Sequence, residues 1–114
     1  MPSTKGYLEF ILEQLSELDD LSWRGMMGEY ILYVRGKVFG GIYDDRFLVK
    51  PTRSALAMLP NANLEAPYPG AKEMLLVEAV EDRAFLRDLV EAMDAELPAP
   101  RPRKKRPAIQ RDTR

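Results

Sequence analysis

The chain reads as an α+β protein, an antiparallel β-meander sheet with helices packed on it, in the element order α-β-β-β-β-α-β-α. Three observations predict this. Apolar residues recur at helical spacing near both ends, the stretch 22–50 is rich in branched and aromatic residues broken by two-residue turn signals, and prolines punctuate the segment after residue 50. With 114 residues and 46% apolar content, the sequence suits one small core rather than two.

Leu8, Ile11, Leu12, Leu15 and Leu18 fall on one helical stripe with Glu9, Glu13 and Glu17 elsewhere, and Ser3 or Thr4 stands ready as N-cap. After Asp19-Asp20 the pattern turns to strand: 22–27, interrupted by Gly28, then 29–34 with the sequence EYILYV. Arg35-Gly36 predicts a tight turn, because glycine tolerates the positive φ that hairpins demand. Strands 37–43 and 46–50 follow, joined by Asp44-Asp45. Pro51 opens a short helix over 52–59 with Thr52 as its cap. Pro60, Asn61, Pro67, Pro69 and Gly70 predict an irregular loop, strand 73–78 (EMLLVE) reads as covered on both faces, and 81–97 is the last helix, ended by Pro98.

The division of charge matters more than the net −1. Residues 1–100 carry a balance of −7 and residues 101–114 one of +6. A domain is therefore expected over 1–97, followed over 98–114 by a disordered Pro-rich basic tail with almost no core-forming side chain. Arg101, Arg103, Lys104, Lys105 and Arg106 give that tail at most a weak, non-specific affinity for nucleic acid, which the acidic body opposes.

Several chemistries fall away on composition. Without cysteine there is no disulfide, thiolate nucleophile or Cys-based metal site, and without histidine the commonest general base near neutral pH is gone. No phosphate-binding glycine loop occurs. No cofactor is expected, and no metal: Glu29, Asp44 and Asp45 read as turn residues rather than converging ligands. With no apolar leader and no run of about 18 apolar residues, a soluble cytoplasmic protein without a membrane partner is expected.

Two sets of residues remain as candidate sites. Lys50, Thr52 and Arg53 flank a helix start, where free N–H groups favour a phosphate or an acidic side chain. Gly28, Gly40 and Gly41 mark places where a cleft or a close packing contact is expected, and strand alternation puts Gly40 on one face and Gly41 on the other. Tyr7, Trp23, Tyr30, Tyr33, Phe39, Tyr43 and Tyr68 suit core and interface roles better than base stacking in so acidic a body.

The stretch SWRGMMGEYILYVRGKVFGGIYDDRFLVKPT resembles the core of the TfoX N-terminal domain family. The resemblance rests on Met26-Met27-Gly28, Gly36-Lys37, Val38-Phe39-Gly40, Asp44-Asp45 and Leu48-Val49-Lys50 in that order, and it extends from about residue 5 to about residue 97. It implies a compact α+β sheet with helices packed on it. The family's TfoX/Sxy members regulate transcription in natural competence together with a cyclic-AMP receptor-type activator, and carry a second, helical domain that this sequence does not reach. The resemblance thus implies a non-catalytic interaction or regulatory module, with a protein partner or self-association, rather than a competence activator. The alternative is a small-molecule or anion binding protein, or a small enzyme using a Lys/carboxylate cleft near the Gly40-Gly41 strand. An exposed apolar sheet face or edge favours the first reading.

Overall fold

Three successive two-residue turns build most of the sheet in the computed structural model, which describes residues 3–98. Strands β1 (Leu21–Met26), β2 (Glu29–Val34), β3 (Lys37–Tyr43) and β4 (Arg46–Val49) are joined by Met27-Gly28, Arg35-Gly36 and Asp44-Asp45. Their φ values are 54 and 85, 50 and 78, and 55 and 56 degrees. Positive φ at both central positions is the hairpin geometry whose twist matches that of paired strands. Met27 therefore belongs to a turn, and Gly28 closes a hairpin rather than interrupting a strand.

The remaining strands, β5 (Leu64–Glu65) and β6 (Met74–Leu76), complete an antiparallel sheet in the order β1-β2-β3-β4-β6-β5. The predicted order of elements holds, with β5 added inside the segment expected to be irregular loop. Its two residues pair Leu64 with Leu75 and Glu65 with Met74. So short a strand leaves no periodicity to read.

Directly paired residues share a face, and two rows cross four strands. Leu32, Gly40, Val49 and Leu75 form one row; Ile31, Gly41, Leu48 and Leu76 form the other. The first row faces the helices, since Leu32, Val49 and Leu75 belong to the main core. The two glycines thus lie on opposite faces, as expected. Strict alternation nevertheless fails at Phe39: the register passes from Leu32↔Gly40 to Tyr33↔Val38, leaving Phe39 as an extra residue. This bulge lets Phe39 and Ile42, three positions apart, both enter the core.

Helix α1 (Lys5–Gln14) is capped by Thr4, whose hydroxyl accepts from the Tyr7 amide. It stops before Leu15, and two tight turns, Ser16 to Glu13 and Leu18 to Leu15, carry Leu15 and Leu18 into the core beyond its end. Helix α2 (Arg53–Met58) is capped by Thr52 and α3 (Arg83–Asp94) by Asp82. The α3 stripe of Leu86, Leu89, Val90 and Met93 is fully buried. Among the described residues no helix is long and apolar enough to cross a membrane. The basic residues Arg101, Arg103, Lys104, Lys105 and Arg106 lie outside the described residues.

Candidate functional site

Gly40 and Gly41 answer different needs. A Cβ built on Gly40 would collide with the Leu48 carbonyl oxygen and stand 3.0 Å from the Val49 Cα, so the missing side chain lets the β4 backbone approach at the bulge. At Gly41 the Cβ would meet the Tyr30 carbonyl oxygen at 2.6 Å and the Tyr43 ring at 2.6 and 2.8 Å. The space over Gly41 is thus already filled by the ring two residues along its own strand. Gly28, in its turn, offers its carbonyl to the Ser3 amide at 3.1 Å.

The acidic residues of the turns hold the start of α1. Glu29 Oε1 accepts from the Ser3 amide (3.2 Å), the Ser3 hydroxyl (2.7 Å) and the Asp44 amide (3.0 Å). Asp45 Oδ1 accepts from the Thr4 amide at 2.8 Å, while the Asp45 amide donates to the Ser3 hydroxyl at 3.0 Å. Carboxylates placed at free N–H groups of a helix start are both hydrogen-bonded and favoured by the dipole.

The start of α2 likewise recruits an anion from within the chain. Glu96, just beyond α3, accepts from the Ser54 amide at 2.9 Å and the Ser54 hydroxyl at 2.7 Å. Those donors hold its carboxyl below the usual range. Thr52 and Arg53 border this depression beside Glu96, whereas Lys50 lines a separate cleft with Pro51 and Thr52. The structure therefore brings Thr52 and Arg53 together around an internal carboxylate and sends Lys50 elsewhere.

That second cleft, of about 550 Å³, lies on the sheet face turned away from the main core. Val38, Tyr43 and Met74 contribute from the sheet, and the 66–73 loop walls it with Pro67, Tyr68 and Lys72. Arg46 pins this loop: its guanidinium bonds Glu65 Oε1 at 2.7 Å and reaches the Ala66 and Pro67 carbonyls at 3.4 Å. Tyr68 tilts over Tyr43 with ring centroids 6.5 Å apart. Sequence reasoning missed Tyr43, Tyr68 and Lys72 as neighbours. The signal available was a tyrosine between two prolines, Pro67 and Pro69, which restrict the loop around it.

A third feature is the β1 edge. The Met27-Gly28 turn makes Met26 and Glu29 a hydrogen-bonded pair, and the Arg35 amide donates to the Asp20 carbonyl at 2.9 Å in the same phase. The backbone groups of Leu21, Trp23 and Gly25 consequently point away from β2, into solvent. Trp23 is 45% exposed, with its ring edge-on to Tyr30 at 5.5 Å, and Met27 at the adjoining turn is 95% exposed.

Comparison with known proteins gives a consistent result. The chain matches the family model described as the TfoX N-terminal domain over residues 13–94. It is also 37% identical over 105 residues to an uncharacterized 12.7 kDa protein in the trpE 5′ region of Spirochaeta aurantia, with 91% of each chain covered. No solved structure matches.

Proposed function

Because the chain belongs to the TfoX N-terminal domain family, we propose that it is a non-catalytic regulatory module that works by assembly, joining its sheet to that of a second copy through the bare β1 edge. The observation that carries this is the edge itself, with the outward backbone groups of Leu21, Trp23 and Gly25 beside an exposed tryptophan. Sheet edges that stay free are commonly blunted by charged side chains, proline or a bulge, and β1 has no proline, no bulge and a single charge, Arg24.

Self-pairing also suits the side chains. In a two-fold antiparallel register centred on Trp23, Trp23 lies opposite its counterpart, Leu21 opposite Gly25 and Ser22 opposite Arg24, so no like charges are directly opposed. A part in transcription regulation is suggested by the family's regulators. In this reading the chain's share is assembly rather than base reading, since the first hundred residues carry a balance of −7.

Sedimentation equilibrium of the full chain over a wide concentration range tests the proposal. Gly25→Pro removes an outward N–H without breaking a β1–β2 bond, and a Cβ at this position meets only the Tyr30 side chain within 4 Å, at 3.9 Å. The expected result is a wild-type dimer and a Gly25→Pro monomer that melts like the dissociated wild type. A wild-type chain that stays monomeric throughout overturns it.

A further inference from the structure

We propose that the cleft on the outer sheet face, between the Arg46-pinned loop and the β4–α2 joint, binds a small planar carboxylate: an apolar ring bearing one anionic head. This site is independent of the β1 edge. Its volume of about 550 Å³ falls within the roughly 300–1,000 Å³ typical of small-molecule sites.

The lining divides into an apolar body and a few polar points. Val38, Pro51, Pro67 and Met74 offer carbon surface, and the Tyr43 and Tyr68 rings supply flat walls on which a ring can lie. The cleft is preformed, because Arg46 ties down the loop by three contacts and Tyr43 is itself locked over Gly41. A site formed before binding loses little ordering entropy when the ligand arrives.

Apart from the Glu73 carboxylate, the polar points are cationic or donating. Elsewhere on the sheet Lys37 pairs with Asp94 and Arg46 with Glu65. The Lys50 and Lys72 ammonium groups, by contrast, meet no carboxylate among the described residues, although both residues line the cleft. Tyr43 is only 7% exposed, yet its hydroxyl has no hydrogen-bond partner among the described residues. Burial raises its pKa, so it stays a donor at neutral pH. Two free ammonium groups and one phenol suit an oxyanion that accepts charge-assisted hydrogen bonds.

Carboxylate is favoured over phosphate for two reasons. Phosphate sites usually draw on the backbone amides of a helix start or a glycine-rich loop, and the α2 start is already taken by Glu96. Glu73 also stands in the lining, where it repels a doubly charged phosphate about twice as strongly as a singly charged carboxylate.

The test uses benzoate as probe, with neutral benzamide and inorganic phosphate as controls, followed by amide chemical shifts of the full chain. Expected are saturable shifts centred on Val38, Tyr43 and Lys72, and binding of both controls weaker by about tenfold or more. The Lys50→Gln/Lys72→Gln pair should weaken benzoate binding about tenfold or more while leaving the melting temperature unchanged, since neither side chain is ion-paired among the described residues. Tyr43→Phe keeps the ring over Gly41 and should also weaken binding, whereas Gly25→Pro should not. No saturable response, equal binding of benzamide, or an unaffected double lysine variant overturns the proposal.

Discussion

Three glycines separate conformational freedom from close approach, and their alanine variants should differ in sign. At Gly40 a Cβ meets the Leu48 and Val49 backbone, and at Gly41 it meets the Tyr30 backbone and the Tyr43 ring. Backbone cannot swing aside, so Gly40→Ala and Gly41→Ala should each lower the urea-unfolding free energy by about 1–3 kcal/mol. Gly6 lies inside α1 with nothing within 4 Å of its Cβ position. Gly6→Ala should instead stabilise by about 0.5–1 kcal/mol, because the unfolded chain loses freedom while the helix loses nothing. A wild-type-like Gly40→Ala would show that β4 can retreat from the bulge. The sequence marks both strand glycines as places of unusual packing, and their opposite faces follow from alternation. That the neighbour of Gly40 is backbone depends on the Phe39 bulge, which no local residue pattern announces.

Elements are legible in the sequence where their ends carry chemistry. Thr4 and Thr52 cap the helices that begin beside them, and Arg35-Gly36 and Asp44-Asp45 turn where expected. Contacts between distant elements are not legible, and the tie between β3 and α3 is the clearest case. The Lys37 ammonium lies against Asp94 Oδ1 and donates to the Asp94 carbonyl at 3.0 Å, while Arg35 Nη1 meets Oδ2 at 2.8 Å. A cation at the last carbonyls of a helix also complements its dipole. The Lys37 ammonium, followed by Arg35, holds the Asp94 carboxyl below its ordinary value of 3.8 despite the opposing effect of burial. Between the folded and unfolded values the unfolded chain binds more protons, so stability rises with pH there. The Asp94 contribution is therefore fully present above the ordinary carboxylate range and is lost as pH falls through the depressed value. Asp94→Asn should cost about 1–3 kcal/mol at neutral pH by leaving Lys37 without its anion and Arg35 with Glu91 alone, at 3.4 Å. The gap between wild type and variant, followed by urea titration, should hold from neutral pH down to about pH 5 and narrow below about pH 4. A gap independent of pH would mean that packing of α3, not the ion cluster, sets the cost.

Across the whole molecule, charge sorts along the chain as sharply as the fold does. The balance is −7 over residues 1–100 and +6 over 101–114, so any nucleic-acid affinity should belong to the latter. The acidic side chains of the body are partly spent on structure: Glu29 and Asp45 hold the α1 start, Glu96 the α2 start, and Asp94 the β3–α3 tie. Those roles hold carboxylates at the joints between elements, and the net −7 of residues 1–100 opposes the approach of a duplex to the body. Arg101, Arg103, Lys104, Lys105 and Arg106 can neutralise phosphates only by counterion release, which carries no sequence information. Each phosphate contact contributes a log–log salt slope near −0.9, so about five contacts give roughly −4.5 and a loss of roughly 500-fold in affinity between ~50 and ~200 mM salt. The full chain is thus expected to hold random and promoter-like duplexes equally at the lower salt and to release both at the higher. Replacing those five residues together with Arg111 and Arg114 by glutamine should abolish the binding at either salt without changing the melting temperature. Sequence-selective binding that survives both the replacement and the higher salt would place DNA reading in the folded body instead, and would require a recognition surface among its helices.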